Sequence, residues 1–287
     1  MYDICCIGHI TSDKVVTTKN TIHMAGGTAF YFSEAVRNLD LKYLLVTALA
    51  DNDMNYVTAL REKGIEVKVQ PSAHTVYFEN IYAEDQDHRT QNVLAKADPF
   101  AIESILNVDA RIFHLGPLLA DDISTELIKT LSEKGRVALD VQGYLRKVVN
   151  KKVYPVDWPE KEQALQYVDI LKADVAEMEV LTGYGDIKRG VKTLTDWGVK
   201  EVVITDGSKG STIYSDGVFY DIPAYQPQIA VDATGCGDTY MAGYLYQKVK
   251  GETLPEAGKF AAAMAGLKTA STGPFNGTKN DVLNFYK

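Results

Sequence analysis

Residues 231–246 read VDATGCGDTYMAGYLY, two glycines, a thiol and two acids followed at once by an apolar, helix-like run. Gly235, Cys236 and Gly237 would present successive backbone N–H groups at the start of a helix running from about residue 238 to 249. A helix N-terminus carries unsatisfied donors and roughly half a positive elementary charge. Glycine lets an anion approach such donors closely, so the stretch suits a phosphate or oxyanion cradle. Asp238 stands at the helix start, where the dipole is expected to lower its pKa and keep it charged. Placed against a substrate hydroxyl, it could accept that proton while the adjacent N–H groups hold the developing charge. A plain N-cap is the other reading. A cap needs one acid, however, and here Asp232 and Asp238 bracket a glycine-lined loop. Cys236 also has two readings, a reactive thiol acidified by the helix N-terminus or a small buried residue.

Such a turn needs a scaffold that aims it. Near-continuous apolar runs at 3–8, 43–48, 111–115, 136–141, 168–172 and 200–205 read as buried strands. Amphipathic segments at 28–39, 53–63, 123–134 and 187–197 read as helices between them. That alternation predicts an α/β fold, doubly wound, with a mostly parallel central sheet flanked by helices. Two regions break it. Residues 11–24 and 66–94 contain no convincing helix, and the second alternates apolar and polar residues about a polar tip at 84–88. This predicts a hairpin with Val76, Phe78, Asn80 and Tyr82 on one face and Tyr77, Glu79 and Ile81 on the other. Both insertions leave the sheet after a strand, so they are assigned to a small β-sheet lid. The core then comprises 1–10, 25–65 and 95–287, and the lid 11–24 and 66–94. Ligands of doubly wound folds bind at the carboxyl ends of the strands, which such a lid would cover.

Composition narrows the classes. The 287 residues carry a formal charge of −8 and no basic run, which argues against nucleic acid or an anionic membrane surface as partner. Adjacent Cys5 and Cys6 lie in an apolar strand and no CxxC pair occurs, which suits a reducing compartment. With no secretory pattern at residue 1 and no membrane-length apolar stretch, the expectation is a cytoplasmic protein. The Walker A pattern is absent, "CIGHITSDK" offers a single glycine where a dinucleotide fold needs three, and the five histidines show no metal-ligand spacing.

The quoted stretch resembles the C-terminal signature D-T-x-G-A-G-D of the ribokinase-like, or PfkB, family of carbohydrate kinases. Asp232, Thr234, Gly235, Gly237 and Asp238 match it, with Ala233 in place of Thr and Cys236 in place of Ala. "MAGGTAFYFSEAVRNL", "ILKADVAEMEVLTG" and "VVITDGSKGSTIY" resemble the family's glycine pair, its N-x-x-E stretch and its nucleotide-supporting strand, in the family's order. The resemblance covers nearly the whole chain. It implies transfer of the γ-phosphate of ATP to a hydroxyl of a small sugar or polyol, with Asp238 as base and the N–H groups of Gly235, Cys236 and Gly237 as anion hole.

It further implies that Asp13, Gly26 and Gly27 contact the acceptor. The family often has Asn after the glycine pair, and here Phe30 or Tyr31 falls there, hinting at an aromatic contact. Gln142 and Arg146 follow a strand end, where Arg146 could meet substrate or the transferred phosphate. Asp174 (for the family's Asn) and Thr205, Gly207 and Gly210 would border the nucleotide. Glu177, with Asp174, would organise Mg²⁺ through water. A monovalent cation near Asp232 and a homodimer through the lid are further implications. The competing readings are a nucleoside kinase on the same fold, with Tyr77, Phe78 and Tyr82 stacking on a base, and a non-catalytic sugar or nucleotide sensor.

Overall fold

The computed structural model describes residues 1–18, 20–82 and 89–286. In chain order its strands are β1 (Tyr2–Ile7), β2 (Thr11–Val16), β3 (Thr21–Gly26), β4 (Tyr43–Leu49) and β5 (Glu66–Pro71). Next come β6 (Val76–Tyr82), β7 (Arg89–Ala95), β8 (Ala110–Leu115), β9 (Arg136–Asp140) and β10 (Arg146–Val149). The last are β11 (Lys152–Pro155), β12 (Ile170–Asp174), β13 (Glu201–Thr205), β14 (Ser211–Ser215) and β15 (Val218–Ile222).

Nine of these form the large sheet, in the order β15-β14-β13-β12-β9-β8-β1-β4-β5. The strands from β13 to β5 all pair parallel, while β14 and β15 close one edge antiparallel. This is the expected doubly wound sheet, and all six anticipated strands lie in it, β12 two residues later than predicted. Its apolar strands are buried on both faces because successive side chains alternate between two cores. Cys6, Leu45 and Ile112 pack with helices Thr28–Val36, Cys236–Lys250 and Leu254–Thr269. Cys5, Val46 and Phe113 pack with helices Thr125–Ser132, Val175–Thr182 and Ile187–Asp196. Cys5 and Cys6 are both free and fully buried, one under each layer.

The second sheet has six strands, β10-β11-β7-β6-β2-β3. Two segments sit in different sheets from those expected. β5, assigned to the lid, pairs parallel with β4 as the outer strand of the large sheet. Half burial of an edge strand gives it the same apolar–polar alternation as a lid strand, and so disguised it. Conversely, 146–155, assigned to the core, forms the hairpin β10–β11 and joins the small sheet through Lys152 opposite Asn92. Its turn holds Asn150 and Lys151 at positive φ, the geometry a two-residue hairpin requires. The anticipated hairpin β6–β7 forms as read: Val76, Phe78 and Asn80 are buried and Ile81 is exposed. Its tip, 84–88, lies outside the described residues, as does the side chain of Tyr82. Among the described residues no helix is long and apolar enough to cross a membrane.

Candidate active site

The carboxyl ends of the parallel strands place a set of charged side chains along one rim. Asp140 ends β9, Lys172 lies opposite it on β12, and Asp174 at the end of β12 pairs with Thr205 at the end of β13. Helix Cys236–Lys250 points its N-terminus at this rim. Gly235 caps it at φ 76°, left-handed backbone that favours glycine, and a Cβ there would collide with the Tyr31 ring. The helix thus begins two residues before the predicted start. Asp238 occupies its first turn rather than capping it, and the capping residue uses no side chain. Of the three expected N–H donors, that of Cys236 is engaged by the carbonyl of Ala233 at 3.1 Å. Among the described residues, those of Gly235 and Gly237 have no backbone carbonyl partner.

The electrostatics of Asp238 run opposite to the expectation from the helix dipole. Lost hydration and the neighbouring Asp140 carboxylate push its pKa up to about 6, against the pull of Lys172, a hydrogen bond from Thr28 and the field of Arg146. The dipole favours the anion, but burial beside a second carboxylate outweighs it here. Lys172 is buried, its Nζ 2.9 Å from Asp140 and 3.8 Å from Glu177. Burial opposes its charge, yet Asp140, Glu177 and Asp238 outweigh that cost and hold its pKa above the ordinary lysine value. Its ammonium also lies directly beneath the turn, 3.2 Å from where a Cβ on Gly237 would stand.

Cys236 is half-buried in the first turn of the helix. Burial pushes the thiol up to about 11, and its Sγ donates to the Ala265 carbonyl at 3.7 Å, so it is not acidified. Asp174 caps helix Val175–Thr182 and forms a reciprocal capping box with Glu177, each accepting from the other's backbone N–H at 2.7 and 2.8 Å. Burial raises the Glu177 pKa against the attraction of Lys172. Among the described residues no three His, Cys, Asp or Glu side chains converge as a metal cage. A phosphate-borne Mg²⁺ needs only one or two carboxylates, its other ligands being phosphate oxygens and water. Glu177 fits that demand, since its cap bond and its approach to Lys172 both engage Oε2.

On the acceptor side, Gly26 closes β3 against β2, and a Cβ there would collide with the Asp13 carboxylate and lie 2.8 Å from Thr11 Oγ1. Gly27, at φ 86°, opens helix Thr28–Val36, and its absent Cβ would stand 2.6 Å from the His9 carbonyl. Thr28, the next residue, is a neighbour of Asp238 whose hydroxyl favours the carboxylate. The glycine pair therefore ties Asp13 to Asp238 across three residues. Tyr31 is placed differently from expected: it is buried, its ring packing under Gly235 and edge-on to Phe30. The register puts Asp13 beside Phe78 and on the same face as Asn80, with Tyr77 on the opposite face near His23.

Thr205 hydrogen-bonds the Ala173 carbonyl at 3.5 Å, and Gly207–Lys209 forms a short turn ending at Gly210. Gln226 bonds the carbonyl of Ser208 in that turn at 3.2 Å. Asp232 accepts from the Thr234 N–H at 2.8 Å, and the buried Lys268 donates to both its carboxylate and its carbonyl. Those bonds hold the Asp232 pKa below the carboxylate norm despite partial burial. Sequence reasoning missed Asp140, Lys172, Thr28 and Lys268. A charged residue ending an apolar strand, as in "VALD" and "DILK", was the available signal for the first two.

The sequence model described as pfkB family carbohydrate kinase matches residues 3–280. A cytidine kinase of Thermococcus kodakarensis is 27% identical over 276 residues, 89% of this chain and 92% of its own. Among solved structures, a pyrophosphate-dependent kinase in the ribokinase family, complexed with a pyrophosphate analog and myo-inositol, superposes with a TM-score of 0.87. It is 29% identical over 98% of this chain and 99% of its own. Ribokinase of Arabidopsis thaliana, complexed with ribose and ATP, shares the fold with a TM-score of 0.80 at 21% identity, over 100% of this chain and 99% of its own.

Proposed function

The chain belongs to the pfkB family of carbohydrate kinases, and on that premise we propose that it moves a terminal phosphoryl group to a hydroxyl of a small sugar or polyol with Asp238 as the base. The observation that carries this reading is the position of Asp238: in the first turn of a glycine-led helix, beside Thr28, where burial and Asp140 push its pKa up to about 6. A base whose pKa lies near the working pH is ionised often enough to act and still accepts a proton readily.

The step runs as follows. The Asp238 carboxylate takes the proton of the acceptor hydroxyl. The oxygen attacks the terminal phosphorus, and the bond from that phosphorus to the bridging oxygen breaks, leaving ADP when the donor is ATP. The N–H groups of Gly235 and Gly237 face the charge that gathers on the phosphoryl oxygens, while Lys172 and Arg146 add fixed positive charge. Mg²⁺, held through water by Glu177 and Asp174, would neutralise donor phosphates. Asp13 accepts hydrogen bonds from acceptor hydroxyls and Gly26 permits that close approach, while Phe78 offers an apolar wall. Thr205, Gly207 and Gly210 border the nucleotide. The small sheet acts as the lid, and the exposed Ile22 on its edge strand β3 offers the surface on which a second copy would pair.

A second reading concerns the donor. Inorganic pyrophosphate has no base to bury, so its binding must come from charge neutralisation. The buried Lys172 beneath the turn, and the likeness to a pyrophosphate-dependent kinase, favour that donor. The experiment is a matrix assay: ATP or pyrophosphate against ribose, fructose, myo-inositol and cytidine, with Asp238→Asn as control. Turnover of one polyol or sugar that disappears in the variant supports the proposal. Preference for cytidine overturns the acceptor class, and binding without turnover in every pair establishes the sensor instead.

A further inference from the structure

The turn that carries Asp238 is anchored at its other end by an ion pair between a fully buried lysine and a half-buried aspartate. Lys268 lies in the last turn of helix Leu254–Thr269 with its side chain fully excluded from solvent. Its Nζ donates to the Asp232 carbonyl at 2.8 Å and to Asp232 Oδ2 at 3.1 Å. The other carboxylate oxygen, Oδ1, accepts from the Thr234 N–H. The backbone at and just before Asp232 is fixed to the same helix end, since Val231 and Asp232 both donate to the Thr269 carbonyl, at 2.6 and 3.2 Å. Family resemblance implies a monovalent cation near Asp232. The residues present do not fit one: a carbonyl and a carboxylate oxygen of Asp232, the kind of ligands it would take, already hold an ammonium.

We propose that Lys268 is a built-in monovalent cation. Its charge neutralises Asp232 and sets the path from Asp232 through Thr234 to Gly235, so the turn is formed without potassium. A bound ion imposes a dependence on its concentration; a covalently attached ammonium removes it. Lys268 is the fully buried partner and Asp232 keeps 24% of its side-chain surface exposed, so loss of the ammonium leaves a void at the helix end beside a half-buried carboxylate without that cation, which makes the pair a structural requirement of the turn. Lys268 is accordingly a positioning residue. This inference rests on the kinase reading only for the activity arm of its test; the melting arm stands without it.

The test compares the wild type, Lys268→Ala and Lys268→Met in choline, sodium, potassium and ammonium chloride at equal ionic strength. Thermal midpoint and phosphoryl transfer are read in parallel. The wild type should show turnover within twofold and an unchanged midpoint across all four salts. Lys268→Ala leaves a cavity beside Asp232, and should lose tenfold or more turnover in choline and regain most of it, with a higher midpoint, in potassium or ammonium. Lys268→Met fills that space with apolar atoms and should not be rescued. A wild type stimulated more than fivefold, or raised in midpoint, by potassium over choline would overturn the proposal. So would an alanine variant that no cation restores. If Lys268→Ala does not fold in choline, its recovery in potassium or ammonium alone supports the proposal, failure to fold in every salt contradicts it, and the wild-type arm is unaffected. Absence of transfer with every donor and acceptor would sink the kinase reading while the midpoints still decide this one.

Discussion

The turn at 232–238 and the small sheet meet through Gly26, Gly27 and Thr28 and are built from opposite materials. The turn is charged and over-determined. Two buried lysines, Lys172 and Lys268, meet four carboxylates there, Gly235 leaves no room for a side chain against Tyr31, and Gly237 sits tightly over the Lys172 ammonium. The face of the small sheet that carries Asp13 sets it beside Phe78, Asn80 and backbone. Chemistry that is mostly charge neutralisation demands fixed ions in a low-dielectric pocket. Recognition of a particular acceptor demands shape, which a few side chains on a sheet face can vary without disturbing the ions. Under the proposed function the difference assigns rate to one region and selectivity to the other, and mutations can separate them.

The largest separation should come from Asp238→Asn, expected to lower kcat by about 10²–10⁴-fold, with acceptor affinity by calorimetry changed less than threefold. Equal loss of affinity would erase the distinction between the regions. Lys172→Met should follow, lowering turnover about 10–100-fold and moving the ascending pH limb of kcat/KM upwards. The lost ammonium no longer opposes the mutual repulsion of Asp140 and Asp238. An unchanged limb would show that Lys172 serves packing alone. Asp13→Ala should act through the acceptor, raising its KM about 10–100-fold, as loss of charged hydrogen bonds worth about 1.5–3 kcal/mol implies. A fall in kcat without that KM change would place Asp13 in the chemistry instead.

The smallest effect is on stability, and its sign distinguishes the regions most sharply. The folded pKa of Asp238 is raised from 3.8 to about 6, so the native state holds that proton more tightly than the unfolded chain. This contribution is present below about pH 4 and is lost as pH rises to about 6, leaving a penalty at neutral pH. Two units correspond to at most about 3 kcal/mol, and partial exposure reduces the expected figure to about 1–2 kcal/mol. Asp238→Asn should therefore raise the thermal midpoint at pH 7 while abolishing turnover. Asp13→Ala should not. A lowered midpoint in Asp238→Asn would contradict the burial argument.

What the sequence disclosed follows the same division. The parallel sheet, its helices and the glycine-led turn were legible because each rests on a local pattern: apolar runs, 3.6-residue periods and clustered glycines. The residues that tune the turn were not. Asp140 and Lys172 lie 32 positions apart and meet only because β9 and β12 pair in register, and Lys268 reaches Asp232 across 36. Without that pairing, the dipole alone predicts a depressed Asp238, and an unshielded helix start predicts an acidic Cys236. Burial reversed both. In the small sheet the alternation of β6 was legible, whereas β5 and β10–β11 were assigned to each other's sheets because an edge strand and a lid strand share one pattern.

The central claim is that an elevated-pKa Asp238 takes the acceptor's proton, and the pH dependence of kcat/KM from about 4.5 to 8 tests it most directly. The wild type should rise with unit slope and level off above a midpoint near 6, and the residual activity of Asp238→Asn should lack that limb. A wild-type profile flat across this range, or a limb near 6 that survives in Asp238→Asn, would contradict the assignment.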